Sequence, residues 1–167
     1  MNKRRFLAGL FCLCCLSTVN AADEQPSAAP LFAATLSDID DKPVALERFR
    51  GKPLIVNFWA RWCGPCRAEI PELIKFRQAH KGKLEVLGIG IEDKAEPARE
   101  FAKAYEMDYP VFVAKDQGIP LMKELGNSRA GLPYTLFIDR HGQVVQRKMG
   151  TVRKADLEAI EATLFRK

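Results

Sequence analysis

The amino-acid sequence predicts an α/β fold: a mixed central sheet flanked by helices on both faces, with a β-hairpin extension at its N-terminal end. Three observations carry this expectation. Pro53–Trp59 and Leu84–Ile91 are almost continuously apolar, the pattern of strands buried on both faces. Helical segments alternate with them, one running from Cys63 to about His80 and one from Glu96 to Tyr105. The chain then closes with a strand pair and an amphipathic helix, and this order of elements builds a sheet with covered faces.

Length and composition agree with a single domain. The chain has 167 residues, 47% apolar and 28% charged, which is enough for one proper core. No run of 18 apolar residues occurs, which excludes a polytopic membrane protein. Lys3, Arg4 and Arg5 supply three of the net five positive charges, so the rest of the chain has no basic footprint for nucleic acid.

Residues 1–21 read as a secretory signal: Lys3–Arg5 as the charged region, Phe6–Leu16 as the apolar region, and Val19-Asn20-Ala21 as the cleavage site. Residues 22–30, with two prolines and mostly small or polar residues, read as a flexible linker, and 31–167 as the folded domain. Phe32–Leu36 and Pro43–Leu46 read as a hairpin around the polar turn Ser37–Lys42. Pro71 lies inside the helix that begins at the cysteines, and Pro97 suits the first turn of the next. Val111–Ala114 is either a short strand or a loop edge, and Ile119–Leu125 is a short helix ending at Gly126. Tyr134–Ile138 and Gln143–Lys148 form strands joined by Asp139-Arg140-His141-Gly142. Leu157, Ile160 and Leu164 mark the buried stripe of a last helix over Lys154–Phe165.

Three of the five cysteines lie in the signal, which leaves Cys63 and Cys66. A pair this close in sequence closes too short a loop to staple a domain, so its value is chemical. The first cysteine sits where a strand ends and a helix begins. Unpaired N–H groups and a partial positive charge there favour the thiolate, the form that attacks a disulfide. Cys63 is expected to attack and Cys66, one helical turn on, to resolve the mixed disulfide. Arg61 and Arg67 flank the pair and add positive potential. A zinc knuckle needs a second Cys or His pair, whereas His80 and His141 are isolated, reading as solvated residues at a helix end and a turn. No Met or His cluster supports copper carriage, and Ala60 stands where a peroxide-reducing enzyme of the peroxiredoxin type has Thr or Ser. No metal site is expected, and no cofactor beyond the Cys63–Cys66 pair itself.

Val56-Asn57-Phe58-Trp59-Ala60-Arg61-Trp62-Cys63-Gly64-Pro65-Cys66 resembles the active-site segment of the thioredoxin superfamily. More narrowly, the chain is similar to exported thiol-disulfide oxidoreductases of the TlpA/ResA type, from the early hairpin to the last helix. The resemblance implies a thioredoxin-like sheet and a cis bond between Leu132 and Pro133 in Gly131-Leu132-Pro133-Tyr134-Thr135, with the Leu132 backbone facing an extended substrate. Trp62, Leu132 and Pro133 are then the substrate-binding residues. Pro71 matches the kinking proline of the family's first helix. Asn57 departs from thioredoxin itself, where a buried Asp accepts the proton of the second cysteine. The TlpA/ResA group has a Glu three residues after that cysteine, and Glu69 holds this place on the same helix face as Cys66. A partly buried carboxylate there has a raised pKa and can shuttle the proton; the alternative is a solvent-facing Glu in the first turn. Trp59 reads as core or shielding wall, Phe101, Tyr105 and Phe112 as core, and Glu92-Asp93-Lys94 as a loop that lies near the site in this group.

The family also implies partners and place: a periplasmic protein, the lesser possibility being an anchor through the uncleaved signal, with disulfides of exported proteins as substrates. Gly64-Pro65 is the dipeptide of reducing thioredoxins, which points to a reductase serving cytochrome c maturation or respiratory copper-site assembly. Its electrons would come from a membrane thiol donor, because the periplasm is kept oxidising. An oxidase or isomerase of the same fold and a non-catalytic binding module are the alternatives. A monomer and no nucleic-acid partner are expected.

Overall fold

The computed structural model describes residues 27–92 and 94–166. The signal over 1–21, residues 22–26 of the linker and Asp93 lie outside the described residues. In chain order the elements are α1 (Ala29–Ala33), β1 (Thr35–Asp38), β2 (Pro43–Ala45), a 3₁₀ turn at Leu46–Phe49, β3 (Leu54–Trp59), α2 (Gly64–Ala79), β4 (Glu85–Gly90), α3 (Ala95–Ala104) and β5 (Val111–Val113). A second 3₁₀ turn at Lys115–Gln117 leads to α4 (Gly118–Glu124), β6 (Tyr134–Ile138), β7 (Val144–Met149) and α5 (Lys154–Leu164).

The seven strands form one sheet in the order β2-β1-β5-β4-β3-β6-β7. β3 runs parallel to β4 and β4 to β5, while β6 is antiparallel to β3 and β7 to β6. β1 pairs antiparallel with β2 on one side and β5 on the other, so the hairpin extends the sheet at its β5 edge. The thioredoxin-like mixed sheet with its hairpin extension is therefore as the sequence predicts. All six residues of β3 are buried, which is why this strand reads as an apolar run broken only by Asn57.

Two local readings change, and one that the sequence leaves open is decided. Phe32 belongs to α1, not to the first strand, which starts at Thr35. Leu31 and Phe32 are both buried in one layer; a strand would send these neighbours to opposite faces, whereas a helical turn lets both reach the same side. The Ser27 hydroxyl accepts the N–H of Ala29 and so supports that turn. The end of the linker is part of the body: Ala28 is buried and donates its N–H to the Gly142 carbonyl at 3.0 Å. Residues 111–113 form an interior strand between β4 and β1, because the hairpin covers what would otherwise be an edge.

Side chains alternate between two layers. Leu54, Val56 and Phe58 face α1 and α4 with Leu31, Phe32, Leu121 and Met122. Ile55 and Trp59 face the other helices with Leu73, Phe76, Ala98, Leu157 and Ile160, and both cysteines belong to this layer.

Candidate active site

β3 ends at Trp59, and α2 begins five residues later, so the connecting loop stands at the end of the central strand. Cys63 is the cap residue of α2, and the Cys66 N–H donates to Cys63 Sγ at 3.2 Å. The two are joined as a disulfide with Cα atoms 5.3 Å apart. Cys66 is fully buried, whereas Cys63 keeps 5% of its surface. Of the two cysteines, only Cys63 is reached by solvent. Trp62, beside it, is 74% exposed, a large apolar face left in solvent.

Glu92 holds the loop from the far side. Its carboxylate accepts the Arg61 backbone N–H at 2.8 Å and the Arg61 Nε–H at 3.2 Å. From sequence Glu92 reads as part of a loop near the site and this part is not visible; its place just past the carboxyl end of a parallel strand beside β3 is the signal that points to it. Arg67 is exposed on α2.

Glu69 is fully buried, one turn after Cys66. Its Oε1 accepts from Asn57 Nδ2 at 2.7 Å and its Oε2 from the Val152 N–H at 2.7 Å. Burial pushes its pKa up to about 7, against the opposing pull of the Val152 N–H and the Asn57 amide. The first-turn surface position is therefore excluded for this carboxyl. Asn57 Nδ2 also donates to Thr135 Oγ1 at 2.9 Å, across the β3–β6 pairing where the two residues are opposed. An Asn cannot take a proton from a thiol; here its amide donates to the Glu69 carboxylate and fixes its orientation.

On the opposite side, Leu132–Pro133 is a cis bond, as the resemblance implies. Leu132 is half-buried and packs against the layer that contains Cys63 and Cys66. Among the described residues its N–H and C=O have no hydrogen-bond partner. Pro133 is buried. Trp62, the two cysteines, Glu69, Leu132 and Pro133 thus converge on one end of the sheet.

The remaining readings divide. Trp59 is buried and stacks on Phe101 with ring centroids 4.6 Å apart, and Phe112 is core. Phe101 and Tyr105 are half-buried and stack on each other on α3 and at its end. His141 is exposed, but His80 is not solvated. It lies between Phe76 and Phe165, with ring nitrogens at 2.9 Å from the Phe76 carbonyl and 3.0 Å from Glu161. The aromatic partners come from α2 and the end of α5, a meeting that local sequence does not reveal. Among the described residues no three His, Cys, Asp or Glu side chains gather to hold a metal ion.

The Redoxin family model matches residues 22–164. The chain belongs to the redoxin family. Among its relatives, the thiol-disulfide oxidoreductase ResA of Bacillus thuringiensis is 32% identical over 131 residues, covering 78% of this chain and 72% of that protein. The thioredoxin-like protein YneN of Bacillus subtilis is 29% identical over 133 residues, covering 78% and 74%. A thiol:disulfide interchange protein of the thioredoxin family from Chlorobium tepidum superimposes with a TM-score of 0.69 at 28% identity, covering 79% of this chain and 92% of that one. This redoxin is a thiol-disulfide oxidoreductase, and its Cys63–Cys66 disulfide stands at the start of α2.

Proposed function

We propose that this redoxin is a periplasmic reductase of disulfides in exported proteins, of the kind that serves cytochrome c maturation or respiratory copper-site assembly. The observation that carries it is a fully buried Glu69, its pKa pushed up to about 7, one helical turn after a fully buried Cys66. In the dithiol form the Cys63 thiolate attacks one sulfur of a substrate disulfide, forming a mixed disulfide and releasing one substrate thiolate. Glu69 takes the Cys66 proton, and the Cys66 thiolate attacks Cys63 Sγ. That step forms the Cys63–Cys66 disulfide and releases the second substrate thiolate. Two electrons pass to the substrate, and a membrane thiol donor restores the dithiol. The cysteine pair is the whole redox group, and no further cofactor or metal takes part.

Trp62 and Leu132 flank the entry to Cys63, Pro133 follows Leu132 at the head of β6, and the free N–H and C=O of Leu132 pair with the backbone of an extended substrate segment. Gly64-Pro65 supports the reducing direction, since neither residue adds a charge that would over-stabilise the Cys63 thiolate. No helix among the described residues is long and apolar enough to cross a membrane; the export signal over 1–21 carries the periplasmic reading, and the protein acts as a monomer. The reduction potential of the Cys63–Cys66 couple in protein lacking residues 1–21 tests the direction. A value near the thioredoxin range of about −270 mV is expected, and one near about −120 mV makes the protein an oxidant of exported thiols.

A further inference from the structure

We infer that Asn127 is a positioning residue for protein substrates: its buried amide clamps Gly131 and so presents the neighbouring Leu132 backbone as a fixed edge. This rests on the reading of Leu132 as the substrate-pairing edge. Asn127 is only 3% exposed, although it lies in the loop between α4 and β6. Its Nδ2 donates to the Gly131 carbonyl at 2.8 Å, and its Oδ1 accepts the Gly131 N–H at 3.2 Å. This double exchange is how one strand residue engages the residue opposed to it in an antiparallel pair. The side chain does for Gly131 what an adjacent strand would do, and the first unpaired peptide groups after it are those of Leu132.

The clamp is itself held. The Asn127 N–H donates to the Met122 carbonyl at 2.9 Å, at the end of α4, and the Asn127 carbonyl accepts the Ala130 N–H at 3.0 Å. Ala130 turns the chain back with φ 51°. Just before the loop, the Leu125 carbonyl accepts from the Tyr134 hydroxyl at 2.7 Å and from Arg147 Nε at 3.0 Å. None of the Asn127 side-chain bonds reaches Cys63, Cys66 or Glu69. Its contribution is therefore to pre-organisation: a pairing edge already in place spares the complex the entropy of ordering this loop.

The test follows single-turnover oxidation of the dithiol protein by tryptophan fluorescence, which resolves half-saturation from limiting rate. The oxidants are an extended disulfide peptide, the same peptide N-methylated at its pairing amide, and 5,5′-dithiobis(2-nitrobenzoate), a disulfide with no peptide backbone. Asn127→Ala is expected to raise the half-saturation concentration for the peptide by about tenfold. Its limiting rate, its rate with the small disulfide and its reduction potential should stay at the wild-type values. Asn127→Asp, which keeps the size and the acceptor but loses the donor to Gly131, is expected to behave like the Ala variant and guards against a loss of folding. An unchanged half-saturation concentration in both variants, or an equal loss with the small disulfide, overturns the inference. If N-methylation weakens wild-type binding while the Asn127 variants bind as wild type, the Leu132 reading stands and the Asn127 role falls. If N-methylation has no effect on the wild type, the Leu132 edge is refuted and the Asn127 role with it.

Discussion

On one face of β3, Leu54, Val56 and Phe58 pack with α1 and α4 in a layer of apolar side chains. On the other, Ile55 and Trp59 flank Asn57, which reaches Thr135 on β6 and Glu69 on α2. The same strand thus lays down a layer that only stabilises and a layer that hides a polar cluster under the cysteine helix. The cluster is bonded throughout its Glu69 carboxylate, so burial there raises a pKa without stranding the charged group. The difference teaches why the chemistry sits where it does. α2 supplies the thiols at its first turn and the acid one turn later, and the sheet beneath α2 offers that acid a partner, the Asn57 amide.

Substitutions on the two faces should separate accordingly. The largest effect is expected at the sulfur itself: Cys63→Ser should abolish disulfide exchange while leaving the circular dichroism spectrum unchanged, and retained function in that variant would favour a binding module instead. On the apolar face, Phe58→Ala should cost about 3–5 kcal/mol in urea unfolding, with the cysteine reduction potential untouched.

Glu69→Gln should act through pH. The Glu69 carboxyl titrates near 4.5 when unfolded and near 7 in the fold. Between those values the folded state holds the extra proton, so stability falls as pH rises, by on the order of 3 kcal/mol across the window. The Gln variant should lose that slope when unfolding is measured at successive pH values; a slope equal to the wild type's would remove Glu69 as its source. Smallest is Asp156→Ala at the start of α5, where one carboxylate oxygen accepts the Arg153 N–H at 2.8 Å and the other binds Lys148 at 2.9 Å. About 1 kcal/mol of stability should be lost with exchange rates unchanged.

Legibility followed the range of the interaction. The buried strands and the cysteine turn declare themselves locally, through apolar runs and the spacing of Cys63 and Cys66. Glu69 could be placed on the Cys66 face by helical spacing, but its partners Asn57 and Val152 come from twelve residues earlier and 83 later in the chain. His80 read as solvated for the same reason, since Phe165 and Glu161 reach it only once α5 has docked. Phe32 reads as strand from sequence because two adjacent apolar residues do not distinguish one helical turn from an extended edge. Asn127 carried no signal at all, since an Asn between Gly126 and Ser128 is ordinary loop composition until its amide is seen against Gly131.

The pH dependence of the exchange rate, measured in parallel for the wild type and Glu69→Gln, bears most directly on the proposal that the buried acid serves Cys66. A step near pH 7 in the wild type that disappears in the Gln variant is the expected result. Superimposable profiles would contradict it.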